Sequence, residues 1–149
     1  MKTILDSSTR QQLLNRLDRV APHSERKWGA MTAHRMVCHL GDQLRVALGD
    51  IPCKKRSNLL SRTLLKWMIL YLPIPTPKGK IGTVPEMQST PAVDWEKDIA
   101  ACKKLIERLA AKNRHEQPAD HPVFGSLSAS QWGILAYLHL DHHLRQFGA

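Results

Sequence analysis

The sequence predicts an all-α protein, one domain over residues 1–149 in which helices pack as a bundle. Three observations predict it. Apolar residues recur at three- and four-residue spacing in separate stretches, as in helices with one buried face. No stretch of useful length alternates apolar and polar residues as a half-buried strand would. A chain of 149 residues, 42% hydrophobic and 23% charged, has the size and composition of one globular unit with its own core.

The first helix is expected to start near Asp6 to Ser8, whose side-chain oxygens can cap free N–H groups, and to end at Pro22. Leu13, Leu14, Leu17 and Val20 give its apolar stripe. Residues 22–29 read as a connector anchored by Trp28. The second helix has Thr32 as N-cap and runs to about Gly49, with Met36, Leu40, Leu44 and Ala47 on its buried face. His39 falls on the shoulder of that stripe with Arg35, Asp42, Gln43 and Val46, and periodicity alone favours a histidine at a core boundary over one that reaches a polar cavity.

Residues 57–72 form a third helical stretch whose unbroken apolar part is too short to span a membrane, which takes about 20 residues. A buried core helix is the expectation; the alternative lies on a membrane behind Lys54, Lys55 and Arg56. Residues 73–91, rich in Pro, Gly and Thr, form a long irregular connection across one end of the domain. The fourth helix is capped by Ser89 or Thr90, has Pro91 in its first turn, and repeats apolar residues at Trp95, Ile99, Cys102, Ile106 and Leu109. A polar connector over 113–124 leads to the last helix, which opens with the capping-box pattern Ser128-Ala-Ser-Gln131.

Composition excludes several classes of function. The start has no apolar secretory segment, and three cysteines without CxxC spacing argue against disulfide and cysteine–zinc frameworks, so a reducing cytoplasm is expected. The formal charge of +9 is spread along the chain without a nucleic-acid motif and reads as solvated surface.

The last helix carries the chemistry. It holds three of the eight histidines, His139, His142 and His143, within five positions. Asp141 and Arg145 mark its charged edge; the opposite direction holds Trp132, Ala136, His139 and, nearest its centre, His143, while His142 points aside. Two inward imidazoles four apart can chelate one divalent metal, or can be core histidines satisfied by hydroxyls or backbone.

Trp28-Gly-Ala-Met31-Thr-Ala-His-Arg-Met36-Val-Cys-His39-Leu-Gly-Asp42 resembles the second-helix signature of the DinB-like superfamily of metalloproteins, and of an uncharacterised bacterial subfamily within it. The stretches 121–132 and 137–148, with Pro85-Glu86 and Trp95-Glu96, carry the resemblance through most of the chain. It implies an up-down-down-up four-helix bundle with a long crossover loop, here 73–91, and room for a short extra helix. It also implies a metal site of His39, His139 and His143, with His142 as the alternative ligand and Asp42 and Gln146 as groups that orient imidazoles; pairing of Asp42 with an arginine stands level with that role.

Three neutral imidazoles leave a coordination position open, the mark of a catalytic site. Zinc or nickel is expected, with iron a third choice. Relatives in the superfamily include low-molecular-weight-thiol S-transferases and a thiol-dependent isomerase, which implies activation of a thiol as thiolate, or of water for hydrolysis. Arg35, Arg145 or Lys78 would hold an anionic or electrophilic small molecule, and the chain would act alone or as a homodimer, without nucleic acid or membrane. The alternative is a non-catalytic bundle that binds metal or a partner. None of Cys38, Cys53 and Cys102 reads as a nucleophile.

Overall fold

Helix ends in this chain follow side-chain chemistry more closely than apolar periodicity. The computed structural model describes residues 1–72, 84–112 and 118–149. Its helices are α1 (Ser7–Leu17), α2 (Ala33–Leu48), α3 (Lys66–Tyr71), α4 (Trp95–Ala111) and α5 (Ala129–Gln146); a π-helical turn, Ser61–Leu65, leads into α3, and a 3-10 turn, Pro85–Gln88, precedes α4. No strand occurs among the described residues, which hold only an isolated bridge between His121 and Gly125.

Three starts occur where the side chains require them. Asp6 accepts the Thr9 N–H at 2.7 Å to begin α1. Thr32 accepts from the Arg35 N–H at 3.3 Å to begin α2. Ser128 and Gln131 complete the capping box of α5. Two boundaries differ from expectation. α1 stops at Leu17, not Pro22, because a turn closed by Arg19 N–H to Arg16 and Val20 N–H to Leu17 swings Val20 into the core. α4 starts four residues late, capped by Asp94, because the Thr90 N–H and hydroxyl are both taken by the Asp42 carboxylate.

The core lies where α2 meets α4 and α5, with α1 against α5. Met36, Leu40 and Leu44 of α2, Ile106 of α4, and Ala136, Leu140 and Leu144 of α5 are fully buried. Burying one such side chain is worth about 1.5–3 kcal/mol, so this seam carries much of the stability. The N-terminal stretch crosses α5 at Gly133: the Ile4 N–H reaches its carbonyl at 3.2 Å, and a Cβ there would sit 2.5 Å from the Thr3 hydroxyl.

The stretch before and through α3 corrects the expectation of a core helix. Leu59 is 80% exposed, Leu60 62% and Trp67 52%, while only Ser61 and Leu70 are buried. The reason is circumference. A helix apolar all round can bury only the side that meets the body, and here that side is held by polar contacts, Ser61 Oγ to the Val123 carbonyl at 2.7 Å and Lys66 to the Ser126 carbonyl at 3.2 Å. Among the described residues no helix is long and apolar enough to cross a membrane. Most of the expected crossover, residues 73–83, lies outside the described residues.

Candidate metal centre

His39 sits mid-helix in α2 and is 3% exposed. The shoulder position expected from periodicity becomes interior because α2 is covered by α4, by α5 and by the Pro85–Gln88 turn. That turn delivers the Met87 carbonyl to His39 Nδ1 at 2.7 Å. A carbonyl only accepts, so Nδ1 donates and Nε2 keeps a bare lone pair.

His143 is oriented the same way. Its Nδ1 meets Gln146 Oε1 at 2.8 Å, and the Gln146 amide is fixed because its Nε2 donates to the Trp28 carbonyl at 2.7 Å. The amide oxygen therefore faces His143, Nδ1 donates, and the His143 Nε2 lone pair is free for another partner. The turn at Gly29 allows this arrangement: its φ is +79°, and a Cβ there would stand 2.6 Å from Gln146 Nε2.

His139 closes the set. Its Nε2 lies 2.9 Å from His39 Nε2, and its buried Nδ1 makes no hydrogen bond among the described residues. Neither neutral tautomer satisfies this pair. A proton on Nε2 leaves Nδ1 an orphaned acceptor, and a proton on Nδ1 sets two lone pairs against each other. The three ring centroids are 4.7, 4.7 and 4.9 Å apart with planes near perpendicular. The donor set fits a divalent cation: imidazole nitrogens on one tetrahedral zinc stand about 3.4 Å apart for Zn–N near 2.1 Å, so the 2.9 Å contact needs to open by about half an ångström.

Electrostatics keep these rings neutral and their lone pairs available. Burial pulls His39 below the ordinary imidazole value. Burial, with the neighbouring His143 and His39, holds His139 well below it, and burial brings His143 down to about 3.

The structure thus brings together His39, His139 and His143, each offering one ligand atom within 4.8 Å of the others. His142 is not in that set; its ring lies edge-on to Trp28 at 5.9 Å. Gln146 touches His143 as expected. Asp42 is buried but bonds Thr90 and Arg45, so the arginine pairing weighed for it is the contact observed, and it tethers the segment before α4 to α2. Arg35 bonds the Thr90 carbonyl at 3.2 Å, one turn from His39. Arg145 pairs with Asp141 at 2.9 Å and lines a cleft of about 280 Å³ between α1 and α5 that contains none of the three histidines. Lys78 lies outside the described residues.

The cysteines are not poised as nucleophiles. Burial and the Asp98 carboxylate push the Cys38 thiol up to about 11, and burial takes Cys102 to about 12. Sequence reasoning missed two kinds of residue. The carbonyls of Met87 and Trp28 carry no side-chain signal. His34 and Cys38, which meet Asp98 on the α4 side of α2, had one in their four-residue spacing.

Fold and site together define a class: an all-helical protein in which two helices converge three neutral imidazoles on one point. Within that class, the chain belongs to the family described as a protein of unknown function, DUF1569, matched over residues 3–149. No curated protein and no solved structure matches it.

Proposed function

We propose that this protein is a metal-dependent enzyme of the DinB-like superfamily, an up-down-down-up bundle of α1, α2, α4 and α5. In this reading His39, His139 and His143 hold zinc or nickel, with iron the third choice, and the reaction joins a low-molecular-weight thiol to a small electrophile in a bacterial cytoplasm. The observation that carries it is the His39–His139 contact at 2.9 Å beside the unbonded His139 Nδ1, an arrangement no proton placement satisfies. A cation held by three neutral imidazoles keeps its full double charge, and supplies the Lewis acidity that lowers the pKa of a thiol or water in an open position.

The chain's own groups do the positioning. Met87 fixes the tautomer of His39, and the Trp28–Gln146 pair fixes that of His143, so both rings present an Nε2 lone pair. Burial of His39 under the Pro85–Gln88 turn limits water on that side, while His139 and His143 are only partly buried as residues. The Arg35 guanidinium is felt at His39 and is the group suited to draw in an anionic thiol or substrate.

Metal analysis of the untagged full chain tests the centre. His39→Ala, His139→Ala and His143→Ala are each expected to lose the equivalent held there; metal content equal to wild type in all three overturns the assignment. A panel of bacterial thiols with model electrophiles, assayed on metal-loaded protein, then tests the reaction. Bound metal with no thiol consumption and no hydrolysis would favour a non-catalytic metal-binding bundle, a reading the engagement of Asp42 away from the imidazoles keeps open.

A further inference from the structure

The other side of α2 carries a second set of ligating groups. His34 and Cys38 are four apart and so share a helix face; about 100° of rotation separates Cys38 from His39, turning this face toward α4 and the other toward α5. Asp98, in the first turn of α4, meets both. Its Oδ2 is 2.7 Å from His34 Nε2 and 3.6 Å from Cys38 Sγ, and one ligand atom of each residue lies within 4.8 Å of the others. Cys38 is 4% exposed, with the Pro91 carbonyl 3.9 Å from its sulfur. The His34 and Asp98 side chains are only 18% and 21% exposed, and the Trp95 ring walls the cluster edge-on to His34 at 5.6 Å.

We propose that His34, Cys38 and Asp98 form a second, zinc-class metal site, separate from the three-histidine centre and pinning α4 to α2. The donor chemistry decides the class of ion. One imidazole, one sulfur and one carboxylate together suit a borderline ion such as zinc, and suit neither the all-oxygen preference of calcium and magnesium nor a copper(I) site rich in sulfur. The charges decide the character of the site. A divalent cation with a thiolate, a carboxylate and a neutral imidazole sums to zero, so it can lie between two helices without the solvation penalty of an uncompensated charge. On binding, the sulfur–hydrogen bond is exchanged for a sulfur–metal bond and the proton leaves to solvent. Without metal the cluster is a His34–Asp98 hydrogen bond with a thiol beside it; this closed arrangement keeps the three ligands together in readiness.

Cobalt(II) separates this site from the other. A thiolate ligand gives a sulfur-to-cobalt charge-transfer band in the near ultraviolet, and three imidazoles cannot produce one. The metal-free full chain titrated with cobalt(II) is expected to show that band and to bind two equivalents. Cys38→Ser should abolish the band and leave one equivalent; the triple change of His39, His139 and His143 to Ala should keep the band at full intensity. Asp98→Asn, which preserves shape and removes one ligand charge, should weaken the band-forming site by about 100-fold and serves if the Cys38 variant fails to fold. Absence of the band in folded wild type, or its survival in Cys38→Ser, overturns the proposal. Its failure leaves the three-histidine reading standing, since that centre is read by the equivalent that survives.

Discussion

The two sides of α2 teach how surroundings give different character to similar ligands. On the α5 side, three neutral imidazoles meet with no carboxylate in contact among the described residues, so a bound cation would keep its whole charge. On the α4 side, an imidazole meets a carboxylate that already shares its proton, with a thiol adjacent, so a bound cation would be neutralised. Each arrangement supplies three ligand atoms, so each would leave a position open; the difference lies in charge, since a neutralised cation polarises a further ligand less than one that keeps its double charge. His121 makes a third case. Its ring is buried, stacks on Phe124 at 4.6 Å, and its Nδ1 accepts two backbone N–H groups at 3.1 Å from Val123 and Phe124. Burial alone therefore does not make a histidine a candidate ligand.

The comparison breaks most readily at the ligands. Replacing His139 by Ala is expected to weaken zinc at the α5-side centre roughly 100-fold or more, and to leave the cobalt–thiolate band untouched. Competition with a chelator of known affinity measures the first and absorbance the second. Loss of both together would mean that the two sides are not independent.

A smaller effect comes from His121. Burial lowers it from the ordinary 6.5 to about 4, so the unfolded chain takes up its proton first as pH falls. The stability it contributes is complete above about pH 6.5 and is lost progressively toward pH 4. Between pH 7 and pH 5 the loss is about 2 kcal/mol, from 1.36 kcal/mol per pKa unit. Urea unfolding of metal-free protein at the two pH values should show this loss reduced by that amount in His121→Asn, whose side-chain oxygen can accept the same two N–H groups without titrating. An unchanged pH dependence in the variant would refute the assignment.

Orientation is worth less than ligation. Gln146→Leu keeps all three imidazoles but removes the partner of His143 Nδ1, and should weaken metal at the α5-side centre about tenfold, with the α4-side site unaffected. Gly29→Ala should do the same through Gln146, because its Cβ would occupy the place of the amide nitrogen. Smallest of all, Leu59→Gln on the exposed stretch before α3 should change unfolding free energy by less than about 0.5 kcal/mol, whereas Leu140→Ala in α5 should cost about 2–5 kcal/mol. Comparable costs would show that the exposed stretch is covered in solution.

Legibility divides along the same lines. The inward pair on α5 could be read from a helical wheel, because Asp141 and Arg145 mark the wet edge and the histidines lie opposite it. His39 could not, because a wheel knows one helix, and the turn that buries this histidine begins 46 residues later at Pro85. Leu59 and Leu140 are the same residue type in similarly apolar helical stretches, yet one is 80% exposed and the other fully buried.

By itself, the sequence determined what is local. The caps at Asp6, Thr32 and Ser128, the amphipathic stripes of α2 and α4, and the facing of His139 and His143 depend on residues within a few positions of one another. Tertiary structure decided what depends on two segments meeting. The Met87 carbonyl on His39, the Trp28 carbonyl on Gln146, the Thr90–Asp42 bond that delays α4, and the arrival of Asp98 at His34 and Cys38 are such meetings. Each is a short-range contact of a few ångströms between residues far apart in the chain, and periodicity along one element carries no information about such distances.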